Sequence, residues 1–371
     1  MSGSAPMPRD ARPAPPASPH PEHVSAGADE AEGARRRPAV FRPEPFRPAH
    51  GLGRAHAQTI CGRLLRRERP LPFRRERLDT PDGDFVDLDF PQLGVGDEAP
   101  LVLLLHGLEG FARRGYALNV YRELAARGVA AVGLNFRSCS GEPNRSARFY
   151  HSGDTGDIRH VLEHLAAHFP GRSLGAVGFS LGGNAMLKYM GEEGVQSRIG
   201  AAAAVSVPYD LAAGALLLER SRMGRWYTGM FIRTLVAKAM AKRDLMLAAG
   251  IDLERLRASR TFREFDDAAT APLHGFRDAD DYYARSSSAG FLARIRVPTL
   301  LLQSKDDPFL PADAFPWPAV RANPYLQVEL TEAGGHVGFV GGSILRPVFW
   351  AEREAARFVA QTLAARASRL V

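Results

Sequence analysis

The sequence predicts an α/β protein built on a doubly wound, mostly parallel sheet, and three observations carry that prediction. Short apolar runs recur at residues 101–105, 129–136, 174–177, 199–207 and 297–303, as strands buried on both faces require. Helix-like segments at 116–127, 157–169 and 183–190 lie between them, so strand and helix alternate. At 371 residues and 45% hydrophobic content, the chain can bury one large core carrying an insertion, in preference to two equal domains.

In chain order, residues 1–40 are rich in Pro, Ala, Gly and Arg and show no hydrophobic periodicity, so a disordered tail is expected there and a folded domain over 41–371. No run in the first 45 residues has the form of a signal peptide. Residues 41–73 read as ordered but irregular, and the first strand is expected at 85–90. Strand 101–105 ends in His106-Gly107-Leu108-Glu109-Gly110, a turn whose Leu108 amide is placed to meet an oxyanion. His106 reads as a histidine packing that turn. Cys139, in the polar loop 137–153, reads as a buried loop residue in preference to a nucleophile. The helix at 157–169 is expected to be capped by Thr155 or Asp154 and stopped by Pro170-Gly171.

Gly178-Phe179-Ser180-Leu181-Gly182 satisfies G-x-S-x-G between a strand and a helix. That pattern exposes a serine hydroxyl on a tight turn where side chains at the flanking glycines would collide with backbone. The helix behind it offers unpaired N–H groups, so Leu181 is the second oxyanion candidate. After strand 199–207 comes a long stretch of helical composition, a cap expected over about 209–290, whose Trp226 and Met230 are the candidates for lining an acyl pocket. Strand 297–303 leads to Asp306 and Asp307, and the last strand, 326–330, leads to Gly334-Gly335-His336. A final helix is expected at 347–366. Serine, acid and histidine thus follow in the order such a site requires, with Asp210, Asp306 and Asp307 competing as the acid.

The net charge of +7 is unevenly placed: residues 54–77 hold eight arginines against two acids, and 212–260 hold ten basic residues against four. Between Arg63 and Arg77 only Phe73 could stack on a base, so nucleic-acid binding is not expected. A solvated charged face is the plain reading, and peripheral contact with an anionic membrane the functional one. No transmembrane helix is read: residues 199–218 are the most apolar stretch, but Asp210 and Pro208 interrupt it. Two cysteines suggest a reducing, cytoplasmic setting, and the histidines show no ligand spacing, so no metal or cofactor is expected. The oligomeric state is left open.

The elbow with Gly183-Asn184, the His106–Gly110 turn, Asp306-Asp307-Pro308-Phe309 and Gly334-Gly335-His336-Val337-Gly338-Phe339 together resemble the YheT-like α/β-hydrolases. The likeness runs from about residue 46 to 358 and takes in 56–60, 135–144, 150–153 and the segments around 265–276. Similar proteins often have glycine where this chain has Ser138. The resemblance implies an α/β-hydrolase fold with a helical lid and cleavage of carboxylic esters, of small molecules or lipid-like. It also favours Asp307, because Asp307-Pro308-Phe309-Leu310-Pro311 resembles the acid, turn, apolar and Pro pattern of these hydrolases. The expectation is a serine hydrolase with Ser180 as nucleophile, His336 as base and Asp307 as its partner. Acyl transfer to an alcohol and a noncatalytic lipid-binding scaffold are the alternatives.

Overall fold

The computed structural model describes residues 1, 40–67 and 69–368, so the expected tail lies almost wholly outside the described residues. Helix α1 (Ala55–Leu65) comes first, followed by the antiparallel pair β1 (Phe73–Asp79) and β2 (Phe85–Pro91). The alternation then runs β3 (Leu101–Leu105), α2 (Gly115–Ala125), β4 (Ala130–Asn135), α3 (Gly156–His168), β5 (Leu174–Phe179), α4 (Leu181–Glu193) and β6 (Ala201–Val205). After the insertion come β7 (Thr299–Ser304) and β8 (Leu326–Thr331), completing an eight-stranded sheet of order β1-β2-β4-β3-β5-β6-β7-β8. From β4 to β8 every pairing is parallel, whereas β2 meets β4 antiparallel.

The uninterrupted apolar strands follow from burial on both faces. Leu101, Leu103 and Leu105 point into one core layer with Ile158, Val161 and Leu165 of α3. Val102 and Leu104 point into the other, with Leu118, Tyr121 and Leu124 of α2 and Val359 of the last helix. One strand feeds two cores because successive side chains alternate.

Three expectations at the margins are corrected. Residues 55–65 are not irregular but form α1, and the strand expected first, at 85–90, is preceded by the edge strand β1. In the register, Arg75 stands opposite Asp89 and Arg77 opposite Asp87, and both pairs are bidentate. Charged cross-strand pairs therefore take the place of apolar alternation at this edge. The last helix, expected from 347, begins at Trp350, because Pro347–Phe349 pairs as a strand with Val340–Gly342. Thr155 does occupy the N-cap of α3 but makes no capping bond: its hydroxyl donates to Glu192, and Asp154 is held by Arg148.

Part of the basic stretch at 54–77 is neutralised within the fold. Arg66 is buried against Glu352, while Arg74, Arg75 and Arg77 pair with Glu76, Asp89 and Asp87. Among the described residues no helix is long and apolar enough to cross a membrane.

Between β6 and β7 the chain folds as α5 (Leu211–Arg220), α6 (Arg222–Ala241), α7 (Arg243–Ala248), α8 (Leu253–Ala258), α9 (Phe262–Phe265), α10 (Ala271–His274) and α11 (Ala279–Ser286), with a π turn at Asp266–Thr270. Ile232, Met246, Leu256, Phe265 and Ala269 give these helices a small core of their own. Asn184 of α4 ties the insertion's return to the sheet, donating to the Ser152 and Ser286 carbonyls and accepting from the Ser288 amide.

Candidate active site

Ser180 sits between β5 and α4 with φ 50° and ψ −119°, a conformation that L-residues adopt only at a cost. The turn is this tight because its glycines leave no room. A Cβ on Gly178 would lie 2.6 Å from the Gly183 Cα, and one on Gly182 would lie 2.5 Å from the carbonyl oxygens of Leu105 and His106. The strand is held in place by the Ser180 amide, which donates to the Val205 carbonyl at 2.8 Å. The hydroxyl is thereby presented at the C-terminal end of the sheet, where the loops after β3, β7 and β8 converge.

His336 comes to it from the loop after β8. Its Nε2 lies 3.0 Å from Ser180 Oγ, and its Nδ1 lies 2.9 Å from Oδ2 and 3.2 Å from Oδ1 of Asp307. The Asp307 side chain is fully buried and also accepts from the Phe309 amide at 2.9 Å. The other two acids have different partners: Asp306 accepts from the Gly335 amide, and Asp210 caps α5 through the Ala213 amide. The histidine loop is pinned elsewhere too. The His336 amide donates to Thr59 Oγ1 and the Val337 amide to Ser206 Oγ, and Phe309 stacks on the imidazole at 4.3 Å and 17°.

The turn after β3 lies across the serine, since a Cβ on Gly107 would be 3.3 Å from Ser180 Cβ. Among the described residues neither the Leu108 nor the Leu181 amide has a protein acceptor, which leaves both free to donate to a ligand. His106 is fully buried and accepts from the Phe136 amide at Nε2, so Nδ1 carries the proton toward the Gly107 carbonyl. Burial holds its pKa down to about 3, and the neutral ring packs on Phe136 and Tyr150. Cys139 is likewise a packing residue, its thiol pushed up to about 11 by burial. Ser138 has φ 60°, which explains why glycine suits this position, and its hydroxyl compensates by bonding Asn144.

Trp226 is 49% exposed and its ring touches that of Tyr227, while Met230 is half-buried on the same helix. Tyr227 of α6 approaches the site through Phe309, the ring that stacks on His336: its own ring lies 4.8 Å from Phe309, tilted by 58°, and its hydroxyl lies 3.2 Å from His56 Nδ1 of α1. A second part of α6 walls a cavity lined by Glu109, Phe149, Tyr150, Leu235, Lys238 and His274. Thr59, Ser206, Phe309 and Tyr227 have no role in the site on the sequence reading. Only the 56–60 stretch hinted at α1: its Gln58 clamps the Leu52 and Val340 carbonyls and the Val340 amide.

Comparison with known proteins places this geometry in context. A family model described as alpha/beta hydrolase fold matches residues 100–343. The Escherichia coli K12 protein YheT is 40% identical over 311 residues, 83% of this chain and 90% of its own length. Mouse phospholipase ABHD3 is 30% identical over 85% of this chain and 78% of its own, and a monoacylglycerol lipase of Saccharomyces cerevisiae is 33% identical over 68% and 57%. Among solved structures, the esterase Pf2001 of Pyrococcus furiosus superposes with a TM-score of 0.51 at 16% identity, over 80% of this chain and 93% of its own.

Proposed function

The chain belongs to the α/β-hydrolase family, in its YheT-like branch, and from that premise we propose that it is a serine hydrolase of carboxylic esters. The observation that carries this reading is the continuous line from Ser180 Oγ through His336, 3.0 Å on one side and 2.9 Å on the other, to Asp307. A free serine hydroxyl is a weak nucleophile, and this line gives it a base at hydrogen-bond distance.

In the first half-reaction Ser180 Oγ attacks the ester carbonyl carbon and its proton passes to His336 Nε2. The resulting imidazolium is stabilised by Asp307, while the Leu108 and Leu181 amides donate to the oxygen that gains charge. Collapse expels the alcohol, which takes the proton from Nε2. Water then repeats the sequence on the acyl-enzyme, releasing the carboxylic acid and restoring the serine. His106 and Cys139 take no part in this scheme.

Lipid-like esters of short to medium acyl length are the proposed substrate class, supported by the monoacylglycerol lipase and phospholipase among the relatives and by the apolar side chains of α6. Trp226 and Met230 are proposed to contribute to the acyl site from that helix. The test is turnover of a p-nitrophenyl ester series. Ser180→Ala should lose about 10³-fold or more while remaining folded. Trp226→Ala and Met230→Ala should change the ratio of rates on short and medium chains. Full activity in the Ser180 variant would overturn the reading, and an equal slowing on every ester would leave α6 without a role in selection.

A further inference from the structure

Glu109, in the turn after β3, has φ 54°, the left-handed region where a residue with a Cβ needs outside support. Four contacts supply it. The Glu109 amide donates to the Tyr150 hydroxyl at 2.8 Å and its carbonyl accepts from Arg114 at 3.3 Å. The Tyr150 hydroxyl in turn donates to Glu109 Oε1 at 3.0 Å, and Lys238 Nζ, from α6, donates to the same oxygen at 2.8 Å. The pair is well shielded, with the Glu109 side chain 10% exposed and that of Lys238 30%. Leu108, whose amide faces the reacting centre in the mechanism above, is the residue immediately before.

Removing the ammonium would leave a nearly buried carboxylate without its cation, an arrangement that costs more than the pair itself contributes. The available relief is rotation of the Glu109 side chain toward water. That rotation takes Oε1 away from the Tyr150 hydroxyl, breaks the ring of bonds holding the left-handed residue, and lets the turn move.

We infer that Lys238 is a positioning residue: through Glu109 and Tyr150, this lysine of the helical insertion holds the Leu108 amide in place for the oxyanion. Seating of α6 on the turn and competence of the site are then one event. The inference rests on the ester-hydrolase reading. Lys242, one turn further along, anchors the end of α6 separately through Asn144 and the Ser146 carbonyl, so the helix keeps an attachment when Lys238 is changed.

The experiment compares Lys238→Met, Glu109→Gln and the double variant with the wild type, with kcat expressed per site titrated by a fluorophosphonate. Deleting one oxyanion donor costs roughly 10²–10³-fold, so displacing one should lower kcat per titrated site by about 10–100-fold while KM stays within about threefold. The double variant should lose no more than Lys238→Met alone, because Glu109→Gln removes the carboxylate whose isolation drives the rotation. A purely structural lysine would lower the melting temperature and the titrated fraction but leave kcat per site unchanged, and that result overturns the inference. Should Lys238→Met fail to fold, Lys238→Gln, which removes the cation and keeps a polar side chain of similar reach, carries the same kcat criterion. Activity retained by Ser180→Ala would instead remove the parent reading, whereas an inactive Ser180→Ala beside a Lys238→Met with wild-type kcat per site removes this inference alone.

Discussion

Exchanging the Asp307 carboxylate for an amide changes one proton position, and the structure says which. Oδ1 accepts from the Phe309 amide at 2.9 Å, a shorter bond than the 3.4 Å one from Gln303 Nε2 to Oδ2, so in Asp307→Asn the remaining oxygen is retained there and the new NH₂ group turns toward His336. His336 Nδ1, 2.9 Å from Oδ2, must then accept, which moves the ring proton to Nε2, the nitrogen 3.0 Å from Ser180 Oγ. A protonated Nε2 cannot receive the serine proton, and the imidazolium that would form has lost its anion. The loss should reach about 10⁴-fold in kcat, equivalent to about 5.5 kcal/mol of barrier. The neighbouring acids set the scale. Asp306→Asn still offers an oxygen to the Gly335 amide, and Asp210→Asn remains a good N-cap, so each should stay within a few-fold of wild type. The assay is turnover of a p-nitrophenyl ester at equal folded content. A loss under tenfold in Asp307→Asn, or a greater loss in Asp210→Asn, would refute the reasoning.

Two further predictions rest on packing and on charge. Gly182→Ala places a Cβ 2.5 Å from two carbonyl oxygens, so it should destabilise the protein by about 3 kcal/mol or more and abolish turnover, whereas near-wild-type melting would contradict the tight elbow. Asp266 is raised to about 7 by burial, against the hydrogen bonds from Thr270 and Tyr283 that favour its charge. Because the unfolded carboxyl ionises near pH 4, the folded state holds the extra proton from about pH 4 to 7; the Asp266 contribution to stability should therefore fall across that window by about 4 kcal/mol and level off above it, against the rise contributed over the same window by buried neutral histidines such as His106. Asp266→Asn should lack that slope, and superimposable melting-temperature profiles for the two proteins would refute the assignment.

The parts legible in the sequence are those whose causes are local. Strands buried on both faces show as unbroken apolar runs, and the elbow shows because its glycines are demanded within five residues. The order of Ser180, Asp307 and His336 was readable for the same reason: each stands at the end of a recognisable strand. What escaped depends on partners far along the chain. Strand β1 has no apolar alternation, and its Arg75 and Arg77 make sense only once Asp89 and Asp87 lie opposite. Helix α1 packs only a narrow stripe of Ala57, Cys61 and Leu65 and buries the polar Gln58 and Gly62 beside it, so its apolar periodicity is weak. Thr59 supports His336 across 277 residues. On α6 apolar side chains occur on several faces, so sequence alone could not set the helical phase or mark Tyr227, which packs on Phe309 beside His336.

The central claim, that Ser180 is the nucleophile, is tested most directly by reacting the folded protein with a fluorophosphonate and locating the adduct by peptide mass spectrometry. One adduct is expected per chain, on the peptide containing Ser180, formed at the rate at which esterase activity disappears and absent from folded Ser180→Ala. An adduct on another residue, retained labelling of the alanine variant, or turnover that survives complete modification of Ser180 would contradict it.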